Sequence, residues 1–135
     1  MSWKLIIGLS VFGIFMGLAT AFLIPPHLEP HFWLGIFAVS GFLIAKHAPG
    51  SYFVHGLCVS LLTSIWVAVA HVALADKYLV LHGRLLAMAP PFASPHVLMA
   101  GAAVAAGIAG GLLLGVYSWL TSKVVVSAHS EFAGW

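Results

Sequence analysis

Charge is distributed along this chain so that long stretches carry none. The eight charged side chains are Lys4, Glu29, Lys46, Asp76, Lys77, Arg84, Lys123 and Glu131. Leu5–Ile24 is a run of 20 uncharged, mostly apolar residues, the length at which a helix crosses a hydrocarbon core of about 30 Å. Ala48–Ala75 gives 28 uncharged residues. Its Pro49-Gly50 start reads as a turn, leaving a helix over about 52–75. Leu85–Ser122 is uncharged as well, but Pro90, Pro91 and Pro95 break its first part, so the spacing predicts a helix over about 96–120. A chain that is 62% apolar and 6% charged lies far from the soluble norm of about 45–50% and 25%. That balance excludes a soluble enzyme, a disulfide scaffold, a disordered tail and a nucleic-acid binder, and points to the lipid bilayer as solvent.

The segment between Glu29 and Lys46 is shorter. Phe32–Ala45 supplies 14 uncharged residues, which extends to 31–47 if Lys46 and His47 snorkel towards the interface. Pro30 suits the first turn of such a helix, where its missing N–H has no partner to lose. We read a short fourth span, with a re-entrant segment as the alternative. The expected fold is therefore all-α: one integral membrane domain over 1–135, a bundle of four transmembrane helices (about 5–24, 31–47, 52–75 and 96–120) with short loops and an interfacial loop over 77–95. Lys4, Lys46 and Lys123 fall on one side and Lys77 and Arg84 on the other, which by the positive-inside rule puts both termini in the cytoplasm of a bacterial cytoplasmic membrane. Lys4 followed by an apolar run and Ala19-Thr20-Ala21 imitates a secretory signal. The run continues through Phe22, Leu23 and Ile24, so the segment reads as a retained helix.

Helix association in lipid depends on close backbone packing and interhelical hydrogen bonds. Helix four places Ala103, Gly107, Gly111 and Gly115 four residues apart, and helix one carries Gly13 and Gly17. These stripes suit either the packing of helix four on helix one or a seam to other chains, in a homo-oligomer or with other membrane subunits. At 100° per residue, Gly56, Ser60, Thr63, Ser64 and His71 of helix three share one face, with His55 and Cys58 opposite. That stripe serves as interhelical glue or as the lining of a polar path.

Eight histidines match the number of charged residues. Most fall at expected interfaces, where an amphipathic ring needs no further role. His55 and His71 invite comparison with haem ligation, but they point about 160° apart on one helix. His82, Met88, His96 and Met99 surround one loop with imidazole and soft sulfur donors, the ligand types copper prefers, without a tight repeat. No catalytic motif is present, so no catalytic residue, metal ligand or cofactor is expected. His71 is the intramembrane titratable group best placed for a role in ion or proton movement.

The order His55-Gly56, Trp66, Ala70-His71, Ser94-Pro95 before a glycine-rich helix, and Ser122-Lys123 after it resembles that of small uncharacterised four-span bacterial membrane proteins. The resemblance covers about the last two-thirds of the chain, implies the four-span architecture and supplies no activity. The leading expectation is a non-enzymatic membrane subunit that packs through glycine- and alanine-lined faces. The alternatives are a small channel or transporter with a path along Ser60, Thr63, Ser64 and His71, and a haem- or copper-binding membrane protein.

Overall fold

The computed structural model describes residues 1–48, 50–87, 90 and 94–132, and among them it is helical with no strand. The elements are α1 (Trp3–Ser10), α2 (Phe12–Phe22), α3 (Glu29–His47), α4 (Tyr52–Ala73), α5 (Ala75–His82), α6 (Arg84–Ala87) and α7 (Pro95–Phe132). Three helices are long and apolar enough to cross a membrane: Trp3–Phe22 (α1 with α2), Tyr52–Ala73 and Pro95–Val125. Large apolar side chains such as Ile7, Phe15, Leu113 and Val124 are exposed along them, the surface expected where lipid is the solvent. Four spans were expected. The 19 residues of α3 stand outside the set of three, because Glu29, His31, Lys46 and His47 at its two ends dilute its apolar middle.

α1 and α2 are one helix with a local break at Val11. Ser10 is fully buried, and its hydroxyl donates to the Ile7 carbonyl at 2.8 Å, a back-bond of the kind that bends helices. The same oxygen accepts the Trp66 indole N–H at 3.3 Å, which explains an aromatic that the sequence leaves stranded in mid-helix. Between α3 and α4 the chain reverses through Gly50, whose φ of 99° is open to glycine and strained for most other residues.

α4 is the central helix. On one side it runs parallel to α1 and α2: a Cβ on Gly13 would meet the Thr63 backbone, and one on Gly17 would meet Ala70 and Val67. On an adjoining face it runs antiparallel to α7, with Gly107 against Ser64, Gly111 against Leu57, and Gly115 against Phe53 and Gly56. The expected packing of helix four on helix one is thus replaced. Both glycine stripes pack on α4, along neighbouring faces. α3 packs on α7, where Gly41 makes room for Tyr117 and Gly110 for Phe37. Ile6, Leu9, Ile44, Ala48, Val59 and Leu114 form the core near the α3–α4 turn. Ala21, Ala75, Tyr78 and Met99 form a second cluster at the other end.

Two helix ends differ from expectation. α4 stops at Ala73 and α5 begins at Ala75 after Leu74 leaves helical geometry (φ −115°, ψ 30°), so Asp76 opens a second helix instead of ending the first. α7 runs on to Phe132 where about 120 was expected, since no glycine or proline interrupts 116–132. Part of the expected interfacial loop over 77–95 is helical, as the end of α5 and α6. Met88, Ala89 and 91–93 of that loop, with Pro49 of the α3–α4 turn, lie outside the described residues.

Candidate functional site

Three helical faces and α5 border a half-open cavity of about 550 Å³, within the usual range for a small-molecule site. α4 contributes Ser60, Thr63, Ser64, Val67 and His71, the stripe that periodicity assigns to one face. α3 contributes Glu29, Trp33 and Phe37 at four-residue intervals. α7 contributes Pro95, Leu98, Met99, Ala102, Ala103, Ala106 and Gly107. Part of the small-residue richness of helix four therefore borders a void, where larger side chains would fill it. From Ser60 to His71 the wall rises through eleven helical residues, about 16 Å or half a bilayer. Beyond Ser60 the path is closed. The Ser60 hydroxyl donates to the Gly107 carbonyl at 3.1 Å, and a Cβ on Gly56 would lie 2.7 Å from the Gly115 Cα.

His71 is buried at the other end of the wall. The Thr20 hydroxyl lies 2.7 Å from the Met16 carbonyl, to which it can donate, and 2.7 Å from His71 Nε2; which way the Thr20–His71 bond runs follows the tautomer of the ring. Thr63 lines the cavity with no side-chain hydrogen bond among the described residues. The Thr63 hydroxyl can therefore donate to or accept from an occupant.

A stack of rings leads outward from His71. Its imidazole lies on Tyr78 (centroids 3.9 Å, 28°), and Tyr78 lies on His82 (4.1 Å, 7°). Burial pushes the Tyr78 phenol up to about 12, and the charge of Glu29 adds to the shift, so the hydroxyl is neutral at ordinary pH. His82 corrects an expectation: read as an interfacial ring, it is 4% exposed. The reason is α5, which folds back along α2 and carries His82 inward. Its Nδ1–H donates to the Tyr78 carbonyl at 3.1 Å. Its Nε2 lies 3.5 Å from Glu29 Oε2 without the geometry of a hydrogen bond, and with Ser40 Oγ it is a buried side-chain atom left unbonded among the described residues. The other carboxylate oxygen accepts the Trp33 indole N–H at 3.2 Å. Glu29 also lines a second hollow, of about 590 Å³, with His27, His82 and Arg84.

His55 is the other corrected histidine. Placed by periodicity on the face away from the bundle, it is fully buried. Nε2 accepts the Ser2 backbone N–H at 2.9 Å and Nδ1–H donates to the Ser51 carbonyl at 3.0 Å, so both nitrogens serve structure. Of the loop residues considered for copper, His96 is exposed, Met99 is buried in the cavity wall and Met88 is outside the described residues. No three His, Cys, Asp or Glu side chains cluster among the described residues. Ala103 and Gly107 lie on the cavity wall, and Gly13, Gly17, Gly107, Gly111 and Gly115 face the helix contacts given above.

Glu29, Tyr78 and His82 are the site residues that periodicity within single helices misses. One signal was present: Glu29, Trp33 and Phe37 share a helical stripe. Comparison with family models, characterised proteins and solved structures gives no match.

Proposed function

We propose that this chain is a small four-span membrane carrier that holds a small, largely apolar molecule with a hydrogen-bonding end in the cavity beside α4. The observation that carries this reading is convergence: Ser60, Thr63, Ser64 and His71 line one cavity with Glu29 and Tyr78 at its outer end. A site reaching half the bilayer and shut beyond Ser60 suits a carrier that opens to one side at a time better than a standing channel. Four spans are supported by helix direction. α1 with α2 runs parallel to α4, so the chain between them must return along the bundle. α3 makes that return, with Ile44 in the core at one end and Glu29 against His82 at the other. Assembly with other chains through Gly13, Gly17, Gly107, Gly111 and Gly115 has less support, since groups of α4 occupy the space beside each of them.

The test uses the neutral dye N-phenyl-1-naphthylamine with the whole chain in nanodiscs. Saturable fluorescence above that of empty discs is expected, and Ala103→Phe should remove it while the helical circular dichroism stays the same. Passage of the bound class of molecule across liposomes, lost on His71→Ala, is the second readout. A signal that never saturates, or one indifferent to Ala103→Phe, would refute the site.

A further inference from the structure

Glu29 lines both the main cavity and the hollow that contains His82, and among the described residues it is the one carboxylate on either wall. We propose that the main cavity takes an aromatic or alkyl organic cation, whose ammonium group pairs with Glu29 in competition with a proton on His82. The inference rests on the carrier reading above and names its substrate class.

Charge complementarity is the first support. The described lining of the main cavity contains no Lys or Arg. Its sole basic ring, His71, has Nε2 engaged by the Thr20 hydroxyl. An anion would find no positive partner there, whereas an ammonium finds a carboxylate. Trp33 and Tyr78 line the same end as Glu29, and aromatic faces attract organic cations, most strongly where water is excluded. Trp33 also binds Glu29 Oε1, which fixes the carboxylate with Oε2 as the oxygen left to exchange partners.

The contact between Glu29 Oε2 and His82 Nε2 supplies the competition. Nδ1 of His82 is committed as a donor to the Tyr78 carbonyl. A neutral ring therefore turns the Nε2 lone pair towards carboxylate lone pairs 3.5 Å away, a contact with no attraction. Protonation of Nε2 converts it into an ion pair with a partly exposed Glu29. A cation drawn to Glu29 from the cavity side removes the reason for that proton, which returns to water. The groups facing His82 are Glu29 from α3, Tyr78 from α5 itself, His71 from α4 through the ring stack, Arg84 from α6, and His27 from the segment before α3. α2 carries no titratable side chain, and His96 of α7 is exposed and lines neither hollow.

The decisive experiment is equilibrium binding of radiolabelled benzyltrimethylammonium, whose own charge does not change with pH, to the intact chain in zwitterionic nanodiscs. Saturable binding should be about tenfold tighter near pH 8 than near pH 5, the range over which histidines change charge. Glu29→Gln should abolish it at both values. His82→Gln should retain binding and flatten the pH dependence, whereas His27→Gln should leave the dependence as it is. Each variant is checked by circular dichroism and gel filtration, so that lost binding is not lost folding. Benzenesulfonate and neutral benzyl alcohol serve as controls of similar shape. If either control binds in the cavity, as judged by loss on Ala103→Phe, and the ammonium does not, the cation inference fails while the carrier reading stands. Failure of all three probes overturns both. Ammonium binding that ignores Glu29→Gln, or that is equal at the two pH values, overturns the inference alone.

Discussion

Gly56 and Gly115 meet backbone to backbone: a Cβ built on Gly56 would stand 2.7 Å from both the Cα and the amide nitrogen of Gly115. Backbone cannot swing aside as a side chain tip can. Gly56→Ala should therefore push α4 and α7 apart and cost on the order of 1–3 kcal/mol, as overpacking does elsewhere. Gly101 has nothing within 4 Å of its added carbon, so Gly101→Ala should be neutral or stabilising by up to about 1 kcal/mol through helix propensity. Thermal melts of the two variants in one detergent compare them directly. A Gly56→Ala protein as stable as the wild type would show that this contact is not tight.

Gly111 separates packing within the chain from packing between chains. Its added carbon would meet the tip of Leu57 at 2.7 Å and the Leu57 backbone at 3.4 Å. Gly111→Leu should lower the melting temperature, at a cost on the order of 1–3 kcal/mol, and leave the assembly size unchanged. Light scattering after gel filtration reads the second quantity. A fall in mass without a fall in stability would mean that this face joins separate copies.

The Trp66 indole and the Ser10 hydroxyl tie α4 to the break between α1 and α2. Trp66→Phe should cost about 0.5–1.5 kcal/mol, the usual net worth of one hydrogen bond. Ser10→Ala loses the same bond, so the double variant should fall short of the sum of the two singles. Strict additivity would mean that the bond contributes nothing.

The raised phenol of Tyr78 gives a pH dependence of known sign. A group whose folded pKa, about 12, exceeds its ordinary value of 10.0 stabilises the fold fully below the ordinary value. That contribution then declines as pH rises through the folded one. Wild-type protein should therefore lose stability between about pH 10 and 12 more steeply than Tyr78→Phe. Absorbance of phenolate in the folded protein should show a late step that Tyr78→Phe lacks. Equal alkaline profiles would contradict the buried setting of this ring.

Topology is tested with single cysteines at Ser2 and Gly83 in a Cys58→Ala background. Four spans put these positions on opposite sides of the membrane, and a re-entrant α3 puts them on the same side. Impermeant labelling of sealed vesicles distinguishes the two.

Ser60, Thr63, Ser64 and His71 were readable as one face because a single helix sets their angles. The cavity they border was not, since its other walls come from helices whose register sequence periodicity leaves open. Ala102, Ala103 and Ala106 illustrate the difficulty. Small residues on a membrane helix look alike whether they admit another backbone, as Gly111 does, or leave space empty. His82 was misread for a related reason: the turn at Leu74 carries it inward, and nothing local to α5 signals that burial.

The pairing of α1 and α2 with α4 has a consequence for synthesis. Ser2 bonds His55, Ser10 bonds Trp66 and Thr20 bonds His71, at separations of 53, 56 and 51 residues. A ribosome that has completed α1, α2 and α3 has made none of these partners. Until α4 emerges and inserts, the first helix lies in lipid with its glycine notches empty and the Ser10 and Thr20 hydroxyls lacking their cross-helix partners. The nascent chain thus depends on α4 to bring its first half into register, and an arrest after α3 leaves the segment most open to capture by the insertion machinery or by proteolysis.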